Sequence, residues 1–248
     1  MVDRRASFVV ASIEARMGST RFPGKMMRDI GGIPTIARVV ERLRRCQSLD
    51  AIILATTESQ LDDVLVNWAA TNNLLYYRGS EYDVLGRVAD AHQKIGSDIV
   101  VEICGDCPLL DPEVIDLAVE TFHTNSSDLV TTVLERSFPK GMDVEVFSTK
   151  NLIAMACNIL DKEVREHVSL SFYNNPDQYN LLGLTAPPHW TAPEIRCVLD
   201  YPEDLIFINS IYSHLAPTGE EEFGINEVIE LIRREPNLLA INAIHKEG

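Results

Sequence analysis

Short apolar runs rich in β-branched residues alternate with helical patterns along the first half of the chain. The runs predict β-strands over residues 8–15, 51–57, 74–77 and 98–104. Helical patterns lie between and after them, over residues 34–46, 61–71 and 83–95 and after Pro112. Parallel strands need long crossover connections, and a helix is the favoured crossover. The alternation therefore predicts an α/β fold with a mainly parallel sheet and helices on its faces.

The pattern changes from about residue 128. Strands are predicted over residues 129–134 and 142–147 with a turn at 138–141, and a helix is expected to begin after Ser148, a plausible N-cap. Two further strands (181–184 and 196–199) and two helices (204–213 and 225–234) are predicted beyond it. No repeat, low-complexity tract or Gly/Ser linker divides the chain, so residues 1–248 are expected to form one domain with a late insertion.

Charge and apolar content exclude several classes of protein. The 37 acidic and 22 basic residues give a net charge of −15, which disfavours a broad nucleic-acid surface. An apolar share of 46% is enough for a buried core. The sequence has no uninterrupted apolar run of about 18 residues, so a membrane span is not predicted. Five cysteines are too few for a secreted disulfide framework. The N-terminal segment with Arg4 and Arg5 lacks a signal-peptide core, so a reducing cytoplasm is expected.

A basic loop over residues 15–25 directly follows the first predicted strand. It combines two glycines, two hydroxyl side chains and three cations: Gly18, Gly24, Ser19, Thr20, Arg16, Arg21 and Lys25. Open parallel sheets bind ligands at strand ends, and amides with Arg and Lys hold phosphoryl oxygens. The loop therefore indicates a phosphate site, with a solvated turn as the alternative. It matches neither the P-loop nor the dinucleotide fingerprint.

Two aspartates follow predicted strands in the same way. Asp106 comes after the strand at 98–104, and Asp200 comes after the strand at 196–199. Two carboxylates at neighbouring strand ends can share one Mg²⁺, with substrate phosphate oxygens as further ligands. The alternatives are a helix N-cap for Asp200 and a turn carboxylate for Asp106. Cys104 and Cys107 form a C-x-x-C, but no second close Cys or His pair supports zinc, so small core residues are the favoured interpretation.

Six motifs resemble, in order, those of the SpsF-like cytidylyltransferases, which are related to CMP-KDO synthetase and the acylneuraminate cytidylyltransferases. They are RMGSTRFPGK at 16–25, RGSEYDVL at 78–85, GDCPLLD at 105–111, GMDVEVF at 141–147, REHV at 165–168 and LDYPEDL at 199–205. The resemblance spans residues 8 to about 210. It implies a three-layer, Rossmann-like α/β fold with a mixed sheet, of the nucleotide-diphospho-sugar transferase (GT-A-like) type.

The resemblance also implies an activity, Mg²⁺-dependent transfer of CMP from CTP to a sugar acid, KDO-like or nonulosonic, with release of pyrophosphate in surface polysaccharide biosynthesis. It assigns Arg16 and Lys25 to catalysis and, with Met17, Gly18, Ser19 and Asp106, to nucleotide binding. Arg78, Ser80 and Asp83 are expected near the nucleotide, and Asp106 and Asp200 on the metal. Asp143, Glu145, Arg165 and His167 are expected toward the acceptor. The related synthetases suggest a homodimer formed through a substrate and dimerisation subregion at about 128–190.

The chain departs from the family pattern at three positions. Glu14, Phe22 and Ser169 stand where the family commonly has glutamine, leucine and threonine. Glu14 adds a negative charge beside the proposed phosphate loop. Three other functions stay open: a glycosyltransferase, although no Asp-x-Asp motif occurs at Asp106; a transferase that uses another nucleotide; and a nucleotide-binding module without activity.

Overall fold

The computed structural model describes residues 7–217 and 222–245. Its strands are β1 (Val9–Glu14), β2 (Asp29–Ile30), β3 (Ile33–Pro34), β4 (Ala51–Thr57), β5 (Leu75–Gly79), β6 (Ile99–Cys104), β7 (Leu129–Thr131), β8 (Glu145–Ser148) and β9 (Leu181–Gly183). Its helices are α1 (Thr35–Leu43), α2 (Asp63–Thr71), α3 (Val84–Ile95), α4 (Pro112–Thr124), α5 (Thr149–Asn158), α6 (Lys162–Glu166), α7 (Leu170–Asn174), α8 (Pro202–Leu215) and α9 (Ile225–Arg234). Arg4 and Arg5, and with them the signal-peptide interpretation, lie outside the described residues.

Seven strands form one mixed sheet in the order β5-β4-β1-β6-β8-β7-β9. The four strands from the first half of the chain are parallel neighbours, as the βαβα alternation predicts. β8 runs antiparallel to both β6 and β7, and β9 is parallel to β7. The three-layer α/β fold with a mixed sheet is therefore confirmed.

Apolar residues cover both faces of this sheet. Helices α1, α2, α4, α8 and α9 pack on one face, against residues such as Ile13 and Ile103. Helices α3, α5 and α7 pack on the other face, against residues such as Val100 and Phe147. Strands buried on both faces read as continuous apolar runs. Glu14 and Glu102 interrupt the runs of β1 and β6, and both lie on the face that α3 covers.

Local signals explain several element boundaries. The Ser148 side chain accepts a hydrogen bond from the amide of Asn151 and caps α5, as predicted. Asp83 caps α3 in the same way, and Gly96 ends that helix in the left-handed region at φ 74°. The N-cap of α8 is Tyr201, so the alternative interpretation of Asp200 as a helix N-cap is wrong.

The sequence-based prediction missed the short strands β2 and β3, and two of its strands in the second half differ from the structure. The predicted strand at 129–134 ends at Thr131. The Thr132 amide still donates to the Val144 carbonyl at 3.2 Å, but the Val144 amide donates to the Thr132 hydroxyl, which in turn donates to the Met142 carbonyl. The predicted strand at 196–199 is an extended segment that makes an isolated bridge between Arg196 and Lys140. Within the described ranges, none of the helices is both long and apolar enough to cross a membrane.

Candidate active site

A cavity of about 380 Å³ opens at the carboxyl ends of β1 and β6. The basic loop after β1, the segment after β6 and the first turns of α3 line it. The loop is closed by a hydrogen bond from the Gly24 amide to the Met17 carbonyl, 3.0 Å long. Gly24 lies in the left-handed region at φ 74°, which glycine adopts without strain, and directs the next residue, Lys25, into the cavity.

Lys25 joins the two aspartates that the sequence placed at strand ends. Its Nζ donates to Asp106 Oδ2 at 2.6 Å and to Asp200 Oδ1 at 2.9 Å. The lysine side chain is only 10% exposed, and Arg21 Nη2 reaches the same Asp200 oxygen at 2.8 Å. Three charged groups that are distant in sequence therefore meet beside the cavity. Lys25 and Asp106 line it, and Asp200 lies behind Lys25 without lining it.

The electrostatics of this cluster favour the charged forms of Lys25 and Asp200. Burial alone would lower the pKa of Lys25, but the Asp106 and Asp200 carboxylates outweigh it and raise the pKa. Burial alone would raise the pKa of Asp200, but hydrogen bonds and charge from Lys25 and Arg21 lower it. The ammonium is therefore the stable form of Lys25 at neutral pH.

A buried network fixes the position of Asp200. The Asp204 carboxylate is fully buried and accepts hydrogen bonds from Arg196 Nε at 2.9 Å and from the amides of Asp200 and Tyr201 at 3.0 Å. Asn242, near the carboxyl end of the chain, donates to Asp204 at 3.0 Å. The Leu199 amide donates to the Asp106 carbonyl at 2.8 Å, which holds the two aspartates side by side.

The donor set of this cluster fits Mg²⁺. Asp106 and Asp200 offer hard carboxylate oxygens that already bracket one cationic atom, the Lys25 ammonium. The described part of the chain contains no group of three or more His, Cys, Asp or Glu residues able to hold a metal. Mg²⁺ commonly binds through one or two carboxylates and completes its shell with substrate phosphates and water, so this site would need the substrate.

The C-x-x-C segment contributes no metal site within the described residues. Cys104 and Cys107 are free thiols, and burial raises the pKa of Cys107, which makes it a poor thiolate. Cys107 is buried, as expected of a small core residue beside Asp106, but Cys104 is exposed and lines the cavity, so its prediction as a core residue is wrong.

Some of the other residues of the basic loop line the cavity, and others anchor the loop to neighbouring elements. Arg16, Ser19 and Thr20 line the cavity, and Arg16 Nη1 is paired with Glu81 at 3.1 Å. Met17 and Gly18 do not line it. The Met17 amide donates to Asp62, which anchors the loop to the start of α2.

The residues expected near the nucleotide from the second motif do not line the cavity either. Arg78 donates to the carbonyls of Thr57 and Ser59 and pairs with Asp63. The Ser80 hydroxyl accepts from the Tyr82 amide. Asp83 caps α3, and its pKa is lowered because hydrogen bonds from Arg165 and the Gly86 amide outweigh its burial. All three therefore make structural contacts in the loops that precede α3 or in its first turn.

A second cavity of about 330 Å³ adjoins the first and shares Cys104 and His167 with it. Asp143 and Glu145, expected toward the acceptor, line this cavity together with Arg136. Arg165 does not line it. Its guanidinium donates to two backbone carbonyls and to Asp83, so it joins α6 to the start of α3.

Three glutamates lie on the sheet face beneath these cavities: Glu14 on β1, Glu102 on β6 and Glu145 on β8. Burial raises the pKa of Glu14 to about 7, although the Arg87 charge opposes it. Burial and the neighbouring carboxylates raise the pKa of Glu102 and Glu145 as well. Glu145 accepts hydrogen bonds from Ser169, at 2.6 Å, and from Tyr173.

The sequence-based prediction did not identify several residues that line the two cavities. Glu81 and Arg87 line the first cavity, and the second is lined by Glu102, Arg136, Ser169 and Tyr173. Ser169 was noted only as a departure from the family pattern. A signal was present for Glu102, because a carboxylate inside the apolar run Ile-Val-Val-Glu-Ile-Cys is costly to bury without a purpose. Arg87 gives a similar signal on the buried side of α3.

Comparison with known proteins identifies the family. Residues 10–234 match the family model described as cytidylyltransferase. The spore coat polysaccharide biosynthesis protein SpsF of Bacillus subtilis is 31% identical over 231 residues, which cover 91% of this chain and 94% of that protein. The 3-deoxy-manno-octulosonate cytidylyltransferase of Trichlorobacter lovleyi is 34% identical over 131 residues, about half of each chain.

Solved structures agree with the fold. A cytidylyltransferase from Leptospira borgpetersenii superposes with a TM-score of 0.88 at 29% identity, covering 94% of this chain and 97% of that one. A CMP:2-keto-3-deoxy-manno-octonic acid synthetase complexed with CTP superposes with a TM-score of 0.63 at 16% identity, covering 84% of this chain and 99% of that one. By the match of residues 10–234 to the family model and by its similarity to SpsF over 91% of its length, this chain belongs to the cytidylyltransferase family.

Proposed function

We propose that the protein transfers CMP from CTP to a hydroxyl group of a sugar acid and releases pyrophosphate, as a step in surface polysaccharide biosynthesis. One observation carries the proposal: the Lys25 ammonium lies between Asp106 and Asp200 in a cavity lined by the basic loop. This arrangement places fixed positive charge and two potential metal ligands where a nucleoside triphosphate would bind.

The chemistry needs little covalent participation by the protein. The acceptor hydroxyl attacks the α-phosphorus and loses its proton to solvent, a new P–O bond forms, and the bond from the α-phosphorus to the oxygen of the β-phosphate breaks to release pyrophosphate. Arg16 and Lys25 stabilise the charge that develops on the departing pyrophosphate. Asp106 and Asp200 would hold Mg²⁺, which neutralises charge on phosphate oxygens and polarises them when bound.

The second cavity would position the acceptor beside the nucleotide. It shares His167 with the first cavity, so the two substrates would meet at this residue. Asp143 and Glu145 supply acceptor oxygens suited to sugar hydroxyls. Arg136, which pairs with Asp143 at 2.9 Å, and His167 are the groups that would face the carboxylate of a sugar acid.

A nucleotide and acceptor panel tests the proposal. We expect pyrophosphate release with CTP and Mg²⁺ plus a sugar acid such as KDO or N-acetylneuraminate, and far less with ATP, GTP or UTP. Asp106→Asn is expected to lower kcat by about 10²–10³-fold, the usual cost of losing one electrostatic group aimed at the reacting phosphate.

Asp177→Asn, the same change at an exposed position, is the matched control and should keep wild-type turnover. Full activity of Asp106→Asn, preference for another nucleotide, or transfer from a nucleotide sugar without pyrophosphate release would contradict the proposal.

A further inference from the structure

Arg16 already has an anionic partner within the protein. Its Nη1 donates to Glu81 Oε1 at 3.1 Å, which joins the basic loop to the loop before α3, and both residues line the first cavity. Within the described ranges, neither side chain has another hydrogen-bond or ion-pair partner. A Cβ added to Gly18 would lie 3.4 Å from the same Glu81 oxygen, so the carboxylate lies against the basic loop itself. A carboxylate of the chain therefore occupies a cation that the proposed function assigns to phosphate.

The loop that carries Glu81 is anchored at its two ends and loosely held in its middle. The Ser80 carbonyl accepts from Arg87 Nη1 at 2.5 Å, and the Asp83 carboxylate caps α3. Between these anchors Tyr82 is 85% exposed, so it adds little packing to the middle of the loop. The Glu81 side chain is 35% exposed, and ion pairs with this much exposure are weak. Glu81 can therefore turn into solvent without disturbing the core.

Resting on the proposed function, we propose that Glu81 is an internal competitor for the phosphates of the nucleotide at Arg16. A guanidinium pairs strongly with either a carboxylate or a phosphate, and two such anions held within a few ångströms repel each other. A triphosphate that binds Arg16 therefore displaces Glu81 into solvent. The exchange runs in reverse when pyrophosphate leaves, because Glu81 is part of the chain and returns to Arg16. The contact weakens nucleotide binding and favours product release.

Two other roles for Glu81 predict different results. If Glu81 oriented Arg16 toward the phosphates, loss of the carboxylate would weaken nucleotide binding. If its charge repelled the triphosphate only from a distance, loss of another carboxylate from the wall of the same cavity would strengthen binding equally. Glu166 supplies that comparison, since it lines the first cavity and makes no ion pair among the described residues.

Calorimetry at neutral pH and physiological salt measures the competition. The ligand is an α,β-methylene analogue of CTP, which cannot release pyrophosphate, in the presence of Mg²⁺. The strength of exposed ion pairs corresponds to a gain of about two- to fivefold in affinity for Glu81→Gln over wild type. Glu166→Gln is the matched control and should change the affinity by less than about 1.5-fold, because salt screens a charge that makes no direct contact.

A double-mutant cycle with Arg16 locates the competition. In the Arg16→Met background the shared cation is gone, so Glu81→Gln should change the affinity by less than about 1.5-fold. An equal gain with and without Arg16, an equal gain in Glu166→Gln, or an affinity of Glu81→Gln that is unchanged or lower than wild type would overturn the proposal. The comparison of Glu81→Gln with Glu166→Gln decides the question even if Arg16→Met binds too weakly to measure.

The outcomes also separate this proposal from the proposed function. If the wild-type protein binds the analogue and the competition fails, the proposed function stands alone. If the wild-type protein does not bind the analogue, the proposed function fails and the competition fails with it. The same comparison with pyrophosphate tests the return of Glu81 on product release. We expect tighter pyrophosphate binding by Glu81→Gln, and an equal affinity in both proteins would overturn that part.

Discussion

Lys25→Met removes the ammonium that Asp106 and Asp200 share. The substitution keeps a long side chain, so the main change is electrostatic. In the wild-type protein Lys25 Nζ lies 2.6 Å from Asp106 and 2.9 Å from Asp200, and the three side chains are 10%, 21% and 11% exposed. Without the lysine, two carboxylates face each other in a largely buried position.

The expected loss of stability follows from this burial. Removing one partner of a buried ion pair costs about 3–5 kcal/mol. Asp106 keeps some solvent contact and Asp200 keeps Arg21 and Arg196, so a loss of about 2–3 kcal/mol is expected here. For a chain of this size that corresponds to a Tm lower by about 4–12 °C. Without Lys25 between them, the two carboxylates should also bind Mg²⁺ in the absence of the nucleotide. At 100 times its Kd, the bound ion would stabilise the folded variant by about 2.7 kcal/mol.

Thermal unfolding with EDTA and with excess Mg²⁺ measures both effects. We expect Mg²⁺ to raise the Tm of Lys25→Met much more than that of the wild-type protein, whose lysine competes for the site. Lys150→Met, the same change on the exposed side of α5, is the control and should behave as wild type. A Tm of Lys25→Met in EDTA equal to that of the wild type, or an equal gain from Mg²⁺ in both proteins, would refute the shared-cation reasoning.

Three further predictions follow from other parts of the site. Asp204→Asn should lower the free energy of unfolding by about 3–5 kcal/mol in urea titrations, because it leaves buried Arg196 without its full counter-charge; a change within about 1 kcal/mol would contradict this role. Folded Glu14, with a pKa of about 7, keeps a proton that the unfolded chain loses near pH 4.5, so stability falls as the pH rises through this window. Glu14→Gln should therefore be more stable than wild type by about 1–3 kcal/mol at pH 8, with a smaller gain at pH 5, and equal gains at both pH values would disprove the reasoning. His167→Ala should raise the KM for the acceptor by about tenfold, the loss of one charge-assisted hydrogen bond, and leave the KM for CTP unchanged; unchanged kinetics would remove His167 from the acceptor site.

The parallel half of the fold could be predicted because its signals are local. β4 at Ala51–Thr57 has the bounds predicted from its apolar run, and so does α9 at Ile225–Arg234 from its helical pattern. The end of β7 at Thr131 could not be predicted, since the Val144 amide donates to the Thr132 side-chain hydroxyl while the Thr132 amide still donates to the Val144 carbonyl. No propensity scale reports a hydrogen bond between positions that only the tertiary fold brings together.

The same distinction applies to the candidate site. The meeting of Asp106 and Lys25 could be anticipated, because both follow strands of the parallel sheet and these strand ends share one edge. Asp200 joins them from an extended segment outside the sheet, so the predicted strand was the wrong reason for its position. The partners of Arg78 and Arg165 could not, because most of them are backbone carbonyls whose positions depend on packing. The pairing of Glu102 with Glu145 depends on the register between β6 and antiparallel β8, which the alternating pattern does not specify.

The contact between Asn242 and Asp204 links the candidate metal site to a segment outside the sheet. Asp204 accepts a hydrogen bond from the Asp200 amide and another from the Asn242 side chain. His245 stacks on Tyr201 at 3.7 Å, which adds a second contact from the same segment. We therefore expect Asn242→Ala to weaken the binding of Mg²⁺ and nucleotide together, although Asn242 does not line the cavity, so the site can be tuned from a distance.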